Sequence, residues 1–147
     1  DELLFDTVAY FNKSFPDAKT AFSFDNLPSD DEQLMVKGNE ALLRAAFINL
    51  MKNAYLYSDD QSVSIRLITD NKTVRIKFQN KGDQLSIEEA EKMMIPFFRG
   101  SNVGKKKGFG LGLAIINRII LIHKGSLTYK AISENLNSFV VILPVKK

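Results

Sequence analysis

Two pairs of β-rich segments constrain the fold of this chain more than any other feature of its sequence. Residues 62–69 and 73–79 are rich in β-branched side chains and are separated by the turn-forming residues 70–72 (Asp-Asn-Lys). Residues 126–132 and 138–143 show a similar pattern near the end of the chain. Each pair predicts two neighbouring antiparallel strands. Because helical segments lie between the pairs, we expect an α+β fold, a two-layer α/β sandwich with helices on one face of a mixed, mostly antiparallel sheet.

Apolar periodicity predicts four helices around these strands. The clearest covers residues 40–57, where apolar side chains recur at i, i+4, i+7 and i+11, namely at Leu43, Phe47, Leu50 and Ala54. The other predicted helices cover residues 2–13, 86–94 and 110–123.

Capping residues and short apolar runs complete the predicted elements. Asn39 can cap the helix that follows it, and Ser86 and Glu89 have the spacing of a capping box. Residues 20–25 alternate between polar and apolar side chains, and residues 34–36 form a short apolar run. Both segments are predicted to be strands.

The composition fits one soluble domain covering residues 1–147. Apolar residues make up 45% of the chain and charged residues 25%, which is typical of a globular domain. The net charge of +3 and the lack of a basic stripe with aromatic residues argue against nucleic-acid binding. With no Cys and a single His, the chain has no cysteine-based or histidine-cluster metal site. Since the chain begins within a helical pattern and without Met, we expect it to be a segment of a longer protein.

Two asparagines on the strongest predicted helix are candidate metal ligands. Asn49 and Asn53 are four residues apart, so they lie on the same side of the helix, beside its apolar stripe. An asparagine at the edge of a core offers a carbonyl oxygen, and Mg²⁺ prefers oxygen ligands. The alternative is that both side chains are ordinary surface residues hydrogen-bonded to a loop.

A glycine-rich segment before the last predicted helix is a candidate phosphate site. Three glycines alternate there, at Gly108, Gly110 and Gly112. Glycines allow a close approach to backbone amides, and the N-terminus of a helix attracts anions. Three upstream lysines add positive charge, at Lys105, Lys106 and Lys107. The spacing matches neither a Rossmann nor a Walker A motif, and a flexible linker is the alternative interpretation.

Two further segments have functional and ordinary interpretations. Asn80 and Gly82 follow the predicted strand 73–79, where a polar side chain beside a glycine can line a pocket or simply form a turn. The aromatic pair Phe97 and Phe98 precedes Arg99 and the polar loop 100–108, which we predict to be mobile. This pair is either a hinge or part of the core, and Arg99 binds either a phosphate or a surface carboxylate.

The order and spacing of these four motifs resemble the catalytic domain of sensor histidine kinases, in the GHKL ATPase superfamily with the Bergerat ATP-binding fold. The resemblance is strong over residues 34–143 and loose over residues 1–33. It implies that Asn53 is the Mg²⁺ ligand and Asn49 its polar partner in catalysis, and that residues 100–108 are the ATP lid. It implies a larger set of nucleotide-binding residues: Asn53, Tyr57, Asn80, Gly82, Phe98, Arg99, Lys105, Lys106, Lys107, Gly108, Gly110, Leu111 and Gly112. His123 is then structural and not the phosphorylated residue.

The chain departs from the family pattern at three positions. Asn80 stands where the family has an Asp that accepts from the adenine amino group, and the loss of charge is expected to weaken binding by about 1 kcal/mol. Gln84 replaces a glycine, and Leu56 replaces a Lys or Arg near the phosphates. Asn49 stands where the gyrase and chaperone branches have a general base, so efficient hydrolysis of ATP by this domain alone is not expected.

The resemblance implies an ATP–Mg²⁺-binding protein-histidine kinase domain that donates the γ-phosphoryl group to a His on a separate dimerisation domain. Residues 1–13 are then the linker from that domain, and a response regulator is the indirect partner. The isolated domain is expected to be a monomer, lying in the cytoplasm as part of a membrane-anchored sensor. The alternatives are a nucleotide-sensing pseudokinase and a protein-interaction module of the same fold.

Overall fold

The computed structural model of the protein describes residues 2–25, 35–70, 72–92 and 111–145. These residues form four helices and five strands. The helices are α1 (Glu2–Ser14), α2 (Glu40–Leu56), α3 (Ile87–Lys92) and α4 (Leu111–Ile122). The strands are β1 (Lys19–Asp25), β2 (Ser62–Thr69), β3 (Thr73–Lys81), β4 (Ser126–Ser133) and β5 (Leu136–Pro144).

The strands form one mixed sheet in the order β1-β2-β3-β5-β4. Strand β1 pairs with β2 in parallel, and the other three pairings are antiparallel. The parallel pairing requires a crossover between β1 and β2, and α2 lies in that connection. The predicted α+β sandwich with a mixed, mostly antiparallel sheet is therefore confirmed.

The core lies between the sheet and the helices. Buried and less buried residues alternate along β2, with Val63, Ile65 and Leu67 on the buried face. Helix α2 packs on this face with side chains such as Leu50 and Met51, neither of which has any exposed surface. Each apolar side chain of this size stabilises the fold by about 1.5–3 kcal/mol when it is buried. Helices α1 and α4 pack on either side of α2 and complete the helical layer.

The helix boundaries follow the predicted caps. The Asn39 side chain accepts a hydrogen bond from the Leu42 N–H at 3.0 Å, and the Ser86 hydroxyl accepts one from the Glu89 N–H at 3.0 Å. The predicted strand at residues 34–36 is wrong in its described part. Met35 and Val36 lie in no strand, because Val36 packs on the core without pairing to the sheet.

His123 joins the end of α4 to the start of α2. It is buried, its Nε2 accepts from the Asn39 N–H at 2.9 Å, and its Nδ1 lies 2.7 Å from the Ile119 carbonyl oxygen. The ring is therefore neutral, with its proton on Nδ1. A Cβ on Gly38 would lie 2.1 Å from the His123 ring, so only glycine fits there. This environment agrees with the structural role expected for His123.

Several predicted features fall outside the described residues, namely Phe97, Phe98, Arg99 and the lid at residues 100–108. Within the described residues, no helix is both long and apolar enough to cross a bilayer.

Candidate nucleotide-binding site

Asn53 and Asn49 occupy different environments on α2. Asn53 is buried, and its side-chain Nδ2 has no hydrogen-bond partner among the described residues. Asn49 is exposed, and its Nδ2 donates to the Ala45 carbonyl oxygen at 2.7 Å. A buried amide nitrogen without a partner costs about 1–3 kcal/mol. Buried polar groups are usually paired, so the Asn53 Nδ2 is a candidate donor to a ligand.

Asn80 and Gly82 both contact the carbonyl group of Tyr57, just beyond the end of α2. The Asn80 Nδ2 donates to the Tyr57 carbonyl oxygen at 3.2 Å. A Cβ on Gly82 would lie 2.2 Å from the same oxygen, which leaves no room for a side chain. A carbonyl at a helix end has no partner within the helix, and Asn80 supplies one from β3. Strand β3 runs to Lys81, so Asn80 lies within the strand and not after it as predicted.

A small cavity brings three of the predicted residues together. Its volume is about 20 Å³, and it is lined by Asn53, Tyr57, Asn80, Asp83, Leu85, Tyr129, Asn137 and Phe139. Typical ligand pockets enclose roughly 300–1,000 Å³. The cavity is therefore too small to hold a nucleotide by itself. Two larger clefts adjoin these residues. One of about 370 Å³ is lined in part by Asn80, and one of about 600 Å³ between α3 and β4 has a mostly apolar lining that includes Tyr129 but no asparagine.

Two polar residues of this cavity were missed by the sequence analysis. Asn137 lies in β5 directly opposite Asn80, and Tyr129 lies in the neighbouring strand β4. The Tyr129 hydroxyl donates to the Asn137 side-chain oxygen and accepts from the Leu85 N–H at 2.9 Å. Burial raises the pKa of Tyr129, which keeps its hydroxyl protonated and able to donate. Asn137 belongs to no local motif, so only the strand register could have revealed it.

The beginning of α4 is where the site is expected to meet phosphate, and the described residues leave space there. The helix begins at Leu111, and none of the described atoms lies within 4 Å of a Cβ built on Gly112. No acidic residue lies in the first turn, so no negative side chain there opposes the attraction of the helix N-terminus for anions. The other predicted phosphate-binding residues lie outside the described residues: Phe98, Arg99, Lys105, Lys106, Lys107, Gly108 and Gly110.

The donor set fits a magnesium ion shared with a ligand. The described residues contain no group of three or more His, Cys, Asp or Glu side chains that could hold a metal alone. The amide oxygens of Asn53 and Asn49 are hard oxygen donors of the kind Mg²⁺ accepts. Magnesium commonly takes one or two protein ligands and completes its shell with phosphate and water. The described residues would therefore hold the ion together with a phosphate-bearing ligand.

Gln84 and Leu56, two of the three positions that depart from the family pattern, have structural roles in this chain. The Gln84 side chain donates to the Leu136 carbonyl oxygen at 3.0 Å and also to the Ser133 carbonyl oxygen, so it ties its loop to the turn between β4 and β5. Leu56 is partly buried against the core. It has no charge to offer a phosphate, and the compensating role of the lysines at 105–107 stays a prediction.

Curated proteins that are similar to this chain in sequence include sensor proteins. The sensor histidine kinase CusS of Escherichia coli O6:H1 is 30% identical over 118 residues, covering 77% of this chain and 24% of CusS. The heme sensor protein HssS of Staphylococcus epidermidis is 35% identical over 113 residues, covering 76% of this chain and 24% of HssS. The chain thus spans about a quarter of the length of these curated relatives.

Solved structures give the same result for the fold. The catalytic domain of histidine kinase ThkA superposes with a TM-score of 0.80 at 26% identity, covering 99% of this chain and 94% of that one. ThkA has also been solved in complex with the response regulator protein TrrA, and that structure superposes with a TM-score of 0.77 at 23% identity, covering 99% of this chain and 40% of that one. A family model described as histidine kinase-, DNA gyrase B-, and HSP90-like ATPase matches residues 38–147. Because this match covers most of the chain, the protein belongs to the family of histidine kinase-, DNA gyrase B- and HSP90-like ATPases, as its motifs indicated.

Proposed function

We propose that this chain is the catalytic domain of a sensor histidine kinase, which binds ATP–Mg²⁺ and donates the γ-phosphoryl group to a His on a separate domain. Membership of the ATPase family implies ATP binding. The observation that supports this specific site is that Asn53 and Asn80 line the same cavity. The Asn53 Nδ2 has no partner among the described residues, and the Asn80 side chain is oriented by its hydrogen bond to the Tyr57 carbonyl oxygen.

The orientation of Asn80 favours adenine. Because its Nδ2 is engaged by the Tyr57 carbonyl, the group that Asn80 offers to a ligand is its oxygen, Oδ1. An acceptor at this point pairs with the exocyclic amino group of adenine, whereas guanine has a carbonyl oxygen at the corresponding position. The Tyr57 carbonyl thus makes Asn80 an acceptor towards the base, as an Asp would be, but without its charge.

The phosphate groups are proposed to extend from Asn53 towards the beginning of α4. Asn53 and Asn49 would hold Mg²⁺ through their amide oxygens, and the free N–H groups of the first turn of α4 would bind phosphate oxygens. When bound, the ion neutralises charge on the phosphates, which is a large part of catalysis in phosphoryl transfer. Arg99, Lys105, Lys106, Lys107, Gly108 and Gly110 are proposed to add further phosphate contacts.

We propose phosphoryl transfer and not ATP hydrolysis because of the residue at position 49, which is Asn. An amide does not deprotonate water, so the domain has no general base at this position. The nucleophile would instead come from the parent protein, as a His on its own dimerisation domain, and a response regulator would be the indirect partner. We further propose that this segment is monomeric when isolated, and that in the parent it works in the cytoplasm, next to a membrane-anchored sensor.

Transfer of labelled phosphate tests the activity. We expect the full-length parent, incubated with γ-labelled ATP and Mg²⁺, to acquire acid-labile phosphate on a His, and Asn53→Ala to abolish the labelling. Lys52→Ala is a suitable control, because Lys52 is the neighbour of Asn53 on α2 and does not line the cavity. A parent that binds ATP but acquires no phosphate would contradict the kinase proposal and favour a nucleotide-sensing pseudokinase.

A further inference from the structure

A set of hydrogen bonds ties the loop after Asn80 to the hairpin formed by β4 and β5. The Gly82 N–H donates to the Asn135 carbonyl oxygen at 2.8 Å. The Asn137 Nδ2 donates to two carbonyl oxygens of the loop, those of Gly82 at 3.2 Å and Asp83 at 3.1 Å. These contacts join segments more than 50 residues apart in sequence, so they fix the loop relative to the sheet.

Asn137 is the centre of this set. It is only 4% exposed, its Nδ2 serves both loop carbonyls, and its side-chain oxygen accepts from the Tyr129 hydroxyl. That hydroxyl in turn accepts from the Leu85 N–H, at the other end of the loop. All the polar atoms of the Asn137 side chain are thus used within the protein, although Asn137 lines the cavity.

The hairpin engages backbone groups of this loop that could otherwise contact the nucleotide base. Four backbone polar groups of the loop are engaged by the hairpin, namely the N–H groups of Gly82 and Leu85 and the carbonyl groups of Gly82 and Asp83. These groups are already engaged within the protein. Recognition of the nucleotide base is therefore expected to depend on side-chain groups such as the Asn80 oxygen. Asn80 itself lies in β3 directly opposite Asn137, and a Cβ on Gly82 would lie 3.3 Å from the Asn80 Nδ2. The loop that the hairpin holds in place therefore borders the Asn80 side chain.

We infer that Asn137 is a positioning residue for recognition of the nucleotide base, and that Gln84 and Tyr129 assist it. The inference rests on the proposed function. It also gives Gln84 a role, since this residue replaces a family glycine and its side chain donates to the hairpin. The pocket for adenine is then formed by the hairpin as well as by the loop that carries the family motif.

Base discrimination by the whole chain tests this role. The probes are the Mg²⁺ complexes of non-hydrolysable ATP and GTP analogues, titrated calorimetrically against the unmodified chain and Asn137→Asp. The introduced carboxylate has no N–H to donate to the two loop carbonyls. We expect the affinity for the adenine analogue to fall about tenfold, from the loss of two hydrogen bonds, with a much smaller change for the guanine analogue. A general loss of folded protein would weaken both analogues equally.

Two further variants keep the test decisive. Gln84→Gly removes an exposed side chain and restores the family residue, and we expect about a fivefold loss for the adenine analogue. Ser138→Ala is the control, because Ser138 is the buried polar neighbour of Asn137 and contacts Gln79, not the loop. An adenine-to-guanine ratio unchanged in both Asn137→Asp and Gln84→Gly would overturn the positioning role. No binding by the unmodified chain would overturn the proposed function itself.

Discussion

Two glycines at opposite ends of the proposed nucleotide site show how differently its two halves are built. At the base end, Gly82 is buried, and an added Cβ would lie 2.2 Å from the Tyr57 carbonyl oxygen. At the phosphate end, none of the described atoms lies within 4 Å of a Cβ added to Gly112. The base end is thus formed by packing and hydrogen bonds within the protein. Packing of the described residues does not require a glycine at position 112. We propose that a glycine is present there because it lets a ligand approach the backbone.

Of the substitutions considered, Gly82→Ala should lower the stability of the fold the most. The new methyl group would collide with a backbone atom, which cannot rotate away, so the loop or the end of α2 must move. Overpacking of this kind costs about 1–3 kcal/mol, and we expect that loss in the free energy of unfolding measured with urea. Affinity for the ATP analogue should fall with it. A variant with unchanged stability and affinity would show that the base end is less rigid than these contacts indicate.

Asn80→Asp should lower stability by an intermediate amount. It introduces the residue that the family has at this position, so it tests whether this chain differs from its family there. The introduced carboxylate would replace an N–H donor 3.2 Å from the Tyr57 carbonyl oxygen, so two acceptors would face each other at neutral pH. We expect a loss of about 1–2 kcal/mol in stability, and no gain in affinity, even though Asp is the family residue.

The pH dependence of this variant has a defined sign. The nearby carbonyl favours the protonated carboxyl, so the pKa of the introduced group is raised in the folded state. The stability lost at neutral pH should therefore return as the pH falls through that pKa, where the protonated group can donate again. Urea unfolding of the variant and the unmodified chain at several pH values measures this difference. A variant that binds the ATP analogue more tightly than the unmodified chain would contradict the proposed role of the Tyr57 carbonyl.

Gly112→Ala should have the smallest effect on the fold. Alanine favours the helix over glycine by up to about 1 kcal/mol, and the described residues leave room for it, so stability should be unchanged or slightly higher. Affinity for the ATP analogue should nevertheless fall, because the methyl group lies where phosphate is proposed to approach. A large loss of stability would mean that Gly112 is needed for packing, which would remove the contrast with Gly82.

Local sequence patterns predicted most of the elements but few of their long-range contacts. The periodicity of α2 and the β2–β3 pair were predicted within one or two residues, because each depends on neighbours in sequence. The parallel pairing of β1 with β2 was not predicted, since no local pattern encodes a crossover. The same applies to Asn137 and Tyr129, whose partners in the loop after β3 lie 44 to 55 residues away. The motif at Asn53, Asn80 and Gly82 was predicted from its spacing, whereas the hairpin that supports it required the structure.

Calorimetric titration of this chain with a non-hydrolysable Mg–ATP analogue, alongside Asn53→Ala, tests the central claim most directly. We predict binding tighter than about 1 mM for the unmodified chain, equivalent to about −4 kcal/mol, and a loss of about tenfold in the variant. We also predict that the variant is no less stable, because it removes a buried amide nitrogen that has no partner among the described residues. Equal affinities for the two proteins, or no binding by the unmodified chain, would contradict the assignment of this cavity as a nucleotide site.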